Sequence, residues 1–308
     1  MSRLHGSILN FLRTPSGQTA TAAPLARPCI LEHRKPCCHG YGINLINKGA
    51  FTGARLCDCV KSCANCLGSA QKVEEGFAKP CHYPSPHRLV NNFNHAGIPV
   101  RYRNASLQEF QNKTGNYEKI LGEIRVWQQG FMPLWREHKA RGLMLGGQVG
   151  VGKTFILAAI GKWLLLNGLS VKFVDFFQLI TALKGQMGLP QHSYQPLLDS
   201  LIDVDILLID ELGKGRQTEF EHTIIDQLVM GRYNQNKAIV ATTNCPLFAE
   251  TASYGMQALD QKGGSTFNPK YYPPLAEVVG ERIYSRIIET SVLMELKGSD
   301  YRRTKGRG

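Results

Sequence analysis

The residues that carry chemistry cluster first between Gly142 and Thr154, which read Gly-Leu-Met-Leu-Gly-Gly-Gln-Val-Gly-Val-Gly-Lys-Thr. From Gly147, with Gly150 inside the run and Gly152-Lys153-Thr154 at its end, the spacing is G-x-x-x-x-G-K-T. Glycines at these positions let backbone N–H groups curl around phosphate oxygens, and a following helix adds the positive end of its dipole. Lys153 has the reach for β- and γ-phosphates, and the Thr154 hydroxyl suits a Mg²⁺ ion. A second group lies at Asp205-Ile-Leu-Leu-Ile-Asp-Glu, where four apolar residues bury a strand and Asp210 and Glu211 emerge at its carboxyl end. Ligands bind at that end of an open α/β sheet. Asp210 there can hold Mg²⁺ through water, and Glu211 can polarise an attacking water. A third run, Ala238 to Thr242, ends in Thr243-Asn244. An amide at that point can position the water near a γ-phosphate. These residues imply a nucleoside triphosphate site built for hydrolysis, since the second acid is often lacking in kinase-type phosphate loops.

Cysteines form the other constellation. Eight of the nine fall between Cys29 and Cys81, the exception being Cys245. Clustering of this kind in a cytoplasmic chain indicates metal binding rather than disulfides. Cys38-His39-Gly40-Tyr41-Gly42 and Cys63-Ala64-Asn65-Cys66-Leu67-Gly68 both resemble zinc-ribbon or DnaJ-type knuckles. The first departs from the pattern, with Lys35 three positions before Cys38 and Cys37 beside it. Zn²⁺ takes four N/S ligands, and Cys37, Cys38, Cys57, Cys59, Cys63 and Cys66 more than suffice for one structural ion. A second ion would need Cys81, His82 or His39. The pairing stays open at this level.

The elements that must position these groups are legible in outline. Leu143 to Leu145 is a short buried strand, and Ile156, Leu157, Ile160 and Leu164 continue it as a helix stopping at Asn167-Gly168. A strand is expected at 170–175 and a helix from Phe177 to about Met187. Another helix should carry Phe220, Ile224 and Leu228, and a last strand Leu293 to Leu296. Ser106-Leu-Gln-Glu109 has capping-box spacing, and Ile120, Ile124, Trp127 and Phe131 recur at helical intervals. The chain divides into a basic arm (1–28), a cysteine module (29–82), a proline-containing connector (83–116), a nucleotide-binding domain (117–298) and a basic tail (299–308). Residues 1–105 hold thirteen Lys/Arg and four Asp/Glu, a net of +9; the remainder nets +3. Such asymmetry points to a polyanion partner, nucleic acid above all. No apolar run reaches membrane-spanning length, so no membrane partner is expected and the location is read as cytoplasmic.

Taken together, 147–154, 205–213, 238–244 and Gly280-Glu281-Arg282-Ile283-Tyr284-Ser285-Arg286 resemble the AAA+ ATPases of the DnaC/IstB group, over about Ile98 to Arg303. The resemblance implies an α/β fold, a P-loop AAA+ core on a five-stranded parallel sheet without a C-terminal lid domain, here preceded by the small zinc-stapled module. It implies ATP as the nucleotide, Asn244 as sensor and Arg286 as an arginine finger. Arg282 and Arg286 are four apart and share a helical face, and a guanidinium fork suits a neighbouring subunit's γ-phosphate. Hydrolysis would then require self-association. The implied function is an ATPase that loads a replicative helicase onto single-stranded DNA. The alternatives are an ATPase helper of DNA transposition and a zinc-containing nucleic-acid-binding protein with ATP as a switch.

Overall fold

The computed structural model of the chain describes residues 37–61, 66, 69, 71–74, 76–80, 84–111, 114–186, 194–248 and 273–301. The expected basic arm, Cys63, Cys81, most of the stretch between Asn244 and the Gly-Glu-Arg helix, and all but the first residues of the basic tail lie outside them.

Strands β5 (Gly142–Gly147), β6 (Val171–Asp175), β7 (Ile206–Asp210), β8 (Ile239–Thr243) and β9 (Ser291–Leu296) form one sheet in the order β6-β7-β8-β5-β9. Every pairing is parallel, as the resemblance implies. Their near-continuous apolar sequences reflect burial on both faces, and side chains alternate between two cores. Leu143, Leu145, Phe173, Leu208, Val240 and Met294 face one core. It is covered by α2 (Pro86–Ala96), α3 (Tyr117–Arg136) and α4 (Lys153–Leu166). Met144, Leu207, Ile209 and Ala241 face the other. Over that face lie α5 (Phe176–Gln186), α6 (Gln195–Asp203), α7 (Glu219–Asn234), α8 (Leu275–Val279) and α9 (Glu281–Thr290). Local chemistry starts several of these helices. The Asp175 carboxylate accepts from Gln178 N at 2.9 Å, and Thr218 Oγ1 caps α7 by accepting from Glu221 N at 3.4 Å. The Ile120, Ile124, Trp127, Phe131 stripe is fully buried in α3.

Before the sheet comes an antiparallel hairpin, β1 (Ile43–Lys48) and β2 (Phe51–Leu56), followed by the single turn α1 (Asp58–Lys61) and a second hairpin, β3 (Gln71–Glu74) and β4 (Phe77–Pro80). The 83–116 stretch is more than a connector. Its prolines do not prevent a helix, because Pro86 opens α2 where the missing N–H leaves no bond unmade. Leu89 and Phe93 of α2 enter the core, and Asn92 Nδ2 donates to Leu169 O at 3.0 Å. Asn94 clasps β2: its Nδ2 donates to Ala54 O and its Oδ1 accepts from Ala54 N, both at 3.2 Å.

Arg232, in the last turn of α7, is fully buried. Burial pushes its guanidinium down to about 9. It donates to the carbonyls of Leu201, Ile202, Val204, Asp205 and Ala238 at 2.8–3.0 Å, tying the end of α6 to the starts of β7 and β8. Arg232→Met would orphan five acceptors, each costing about 1–3 kcal/mol if unsatisfied and dry. The expected outcome is a loss of at least about 3 kcal/mol in chemical denaturation, partial rather than full because some carbonyls regain water.

Candidate active site

β5 delivers the glycine loop to the carboxyl edge of the sheet. Gly152 has φ 108°, and a Cβ there would lie 2.6 Å from the Phe110 ring; at Gly147, φ 144°, it would lie 2.2 Å from Leu296 O. Only glycine satisfies both the dihedral and the space. Lys153, buried at the first turn of α4, donates to Gly147 O (2.7 Å), Gln148 O (2.8 Å) and Asn244 Oδ1 (2.7 Å). Because β8 lies between β5 and β7, Asn244 emerges between the glycine loop and the two acids.

The acids sit in different surroundings. Asp210 is buried, and its Oδ1 accepts from Thr242 Oγ1 at 2.6 Å and Thr154 Oγ1 at 3.0 Å. Burial raises its pKa, and the two hydroxyls work against that rise. Glu211 has φ 57°, unusual for a non-glycine residue. That backbone turn carries its N–H onto Thr242 Oγ1 at 3.0 Å and leaves its carboxylate paired with Lys214. Thr242 therefore organises both acids, a role the sequence did not single out; the signal was a threonine pair ending a buried strand.

Lys153, Thr154, Asp210, Glu211, Asn244 and the loop glycines Gly150 and Gly152 line one cavity of about 1160 Å³. Its other walls include Phe51, Pro99, Arg101, Tyr102, Asn104, Phe110 and the carboxyl end of β6 with the start of α5. Of these, Phe51 and Phe110 went unremarked in the sequence, being isolated aromatic residues of the hairpin and the connector. Arg282 and Arg286 are not part of this lining. Arg282 pairs with Asp226 of α7. Arg286 Nη1 donates to Glu289 Oε2 at 2.9 Å and Tyr233 Oη at 3.1 Å, and its guanidinium lies 4.6 Å from the Tyr233 ring centre. The two share a helix face, and that face lies against α7.

The cysteines divide. Sγ atoms of Cys37, Cys38, Cys57 and Cys59 all lie within 4.8 Å of one another. Cys38–Cys59 and Cys37–Cys57 are 3.5 Å apart, well beyond the ~2.05 Å of a disulfide. A tetrahedral ion with metal–sulfur bonds of ~2.3 Å sets sulfurs about 3.8 Å apart, so the four fit Zn²⁺. Burial raises the Cys57 thiol pKa, but hydrogen bonds from Cys59, Cys37 and Cys38 outweigh it and leave it lowered. Cys66 is buried outside this group, and four sulfurs already complete a tetrahedron without it.

The sequence pattern of the family described as IstB-like ATP binding protein matches residues 86–261. The chain belongs to that family. Replicative helicase loader DnaC of Escherichia coli K12 is 26% identical over 174 residues, covering 56% of this chain and 69% of the relative. DnaC of Buchnera aphidicola from Schizaphis graminum is 24% identical over 210 residues, 68% and 73% of the two chains. Among solved structures, the crystal structure of the DnaC helicase loader superposes with a TM-score of 0.51 and 28% identity, covering 64% of this chain and 99% of that one. The AAA+ core and its P-loop are thus those of an IstB-like ATP-binding protein. The family match starts at Pro86, after the four-cysteine group.

In this IstB-like site, Thr242→Val removes the hydrogen bond that lowers the Asp210 pKa. Asp210 then protonates at higher pH, so the acid limb of ATP binding should move to higher pH. Fluorescent-nucleotide titrations against pH on the wild type and Thr242→Val measure it; an unmoved limb would show that Thr242 only packs.

Proposed function

We propose that this chain is an ATP-hydrolysing AAA+ loader that self-associates on single-stranded DNA in the cytoplasm and delivers a replicative helicase to it. The observation that carries this reading is a division of labour. Glu211 and Asn244 line the same cavity as the glycine loop, whereas Arg282 and Arg286 lie outside it. A guanidinium that lies outside its own cavity can serve a γ-phosphate in the cavity of a second copy, which supports assembly. The likeness to DnaC over two thirds of that protein's length supports the helicase as cargo.

In this mechanism the backbone of 147–154 and Lys153 hold the phosphates. Thr154 and Asp210 hold Mg²⁺, which would neutralise charge on the β- and γ-phosphates. Glu211, released from Lys214, accepts a proton from the attacking water, and Asn244 orients that water. Arg286, assisted by Arg282, reaches a neighbouring subunit's γ-phosphate. Cys37, Cys38, Cys57 and Cys59 hold one structural Zn²⁺. A transposition helper shares the same core, and the family's IstB-like character keeps that as the second reading; copurification with a helicase or with a transposase separates the two.

The test is ATPase rate against protein concentration, with and without single-stranded DNA. Turnover should rise with both and fall at least about a hundredfold in Arg286→Ala, the lower range for a lost finger being about 10³. Mixing Arg286→Ala with Lys153→Ala subunits should restore activity, because each supplies what the other lacks. Turnover indifferent to concentration, DNA and Arg286 would refute the assembly mechanism. For the metal, a chromophoric chelator should detect one zinc per chain on thiol modification and none in Cys57→Ser, with a lower melting temperature in that variant.

A further inference from the structure

The cavity around Lys153 has one wall that belongs to neither the glycine loop nor the sheet. Phe51 follows the Gly49-Ala50 turn at the tip of the β1–β2 hairpin, is 52% exposed, and lines the cavity beside Pro99, Tyr102 and Phe110. The hairpin is bonded to the segment that forms the rest of this wall. Thr52 N donates to Ile98 O at 2.7 Å, Val100 N to Ala50 O at 2.9 Å, and Phe51 bridges Pro99 in antiparallel fashion. Arg103 Nη1 adds a bond to Asn47 Oδ1 at 2.7 Å. Residues 98–100 thus run beside the hairpin tip through one isolated antiparallel bridge before a 3-10 turn begins at Val100.

The other end of the same hairpin is where the sulfurs gather. Cys57 follows β2 directly and its N–H donates to Gly42 O at 2.9 Å, while Cys37 and Cys38 precede β1. From Phe51 to Cys57 an extended chain spans about 20 Å. With the triphosphate held at Gly150 to Thr154 and Asp210, the base is left the remaining walls, where Phe51, Tyr102 and Phe110 offer rings among polar residues such as Arg101 and Asn104. A flat ring against Phe51 gains a stacking partner and removes exposed apolar surface.

We infer that the nucleobase packs against Phe51, and that metal held by Cys37, Cys38, Cys57 and Cys59 fixes the hairpin that presents this ring, so that metal loading and nucleotide affinity are linked. This rests on the nucleotide and zinc readings above. Linkage is reciprocal: a metal that tightens nucleotide binding is itself held more tightly when nucleotide is bound.

The experiment uses the full chain and isothermal titration with ATP and with inorganic tripolyphosphate, each on zinc-loaded, chelator-stripped and Phe51→Ala protein, with Lys153→Ala as control. Phe51→Ala should keep its zinc, bind ATP about fivefold more weakly, the low end for a lost base–aromatic stack given a half-exposed ring, and bind tripolyphosphate unchanged. Stripping should weaken ATP binding to the wild type by a similar factor, and weaken it less in Phe51→Ala. ATP should slow zinc transfer to a chromophoric chelator in the wild type and not in Phe51→Ala. Equal ATP affinity in wild type and Phe51→Ala, or in loaded and stripped wild type, overturns the inference while Lys153→Ala still loses binding. Failure of Lys153→Ala to lose ATP, or absence of zinc from the isolated wild type, instead refutes the underlying readings.

Discussion

A buried ammonium is the constraint on which the site depends. Lys153 lies in the first turn of α4, just after the glycine loop that follows β5, with its side chain out of water, and an ammonium so placed needs its donors satisfied. The glycine loop wraps back so that Gly147 and Gln148 offer carbonyls, and β8 brings Asn244 as a third acceptor. Those demands explain the surroundings. The loop must carry glycines because Leu296 and Phe110 leave no room for side chains on its outer surface. β8 must sit between β5 and β7, as it does. In the proposed mechanism an arriving phosphate would compete for the same ammonium and release Asn244 as a water needs orienting, so that binding and the arming of the amide would be one exchange of partners.

Arg282 and Arg286 obey the same logic from outside. Arg286 is half-exposed and held by Glu289 and the face of Tyr233. An exposed ion pair is worth roughly 0–1 kcal/mol, far less than a guanidinium gains on a dry, multiply charged phosphate. Such a group is parked rather than locked. Tyr233 holds its geometry in the isolated chain, and in the proposed assembly a neighbouring copy's phosphate would draw it away. Arg232 is the contrast: the same side chain, fully buried on five carbonyls, is committed to the fold.

What the sequence disclosed follows from the range of each signal. The strand, glycine loop and helix from Gly142 onward, the acids of β7 and the end of β8 are runs of consecutive residues, and each was legible. α2 was hidden because prolines normally argue against a helix, although Pro86 stands where a helix tolerates it. The four sulfurs arise from neighbours in sequence, Cys37 with Cys38 and Cys57 with Cys59, brought together by the register of β1 on β2. That register is a tertiary fact. No spacing rule distinguishes these four from Cys66. Arg232 carries no local mark at all and Thr242 only the threonine pair that ends β8, since what defines them is the set of carbonyls and carboxylates around them.

The cysteine hairpin is, finally, a part of the nucleotide-binding body in its bonding. Asn94, which clasps Ala54 on β2, belongs to α2, inside the stretch matched by the family. Ile98 and Val100, which bond to the hairpin tip, lead directly into the turn carrying Arg101 and Tyr102 in the cavity wall. A bead on a flexible tether could not sense the state of the cavity, because a tether transmits no preference between arrangements. The hairpin is instead pinned by backbone bonds at its tip, by a side-chain clasp at its middle and, at its other end, by Ile43 and Tyr41 packing on the core. That other end is the one where four thiols converge, so an ion held there would act on a hairpin already joined to the cavity wall.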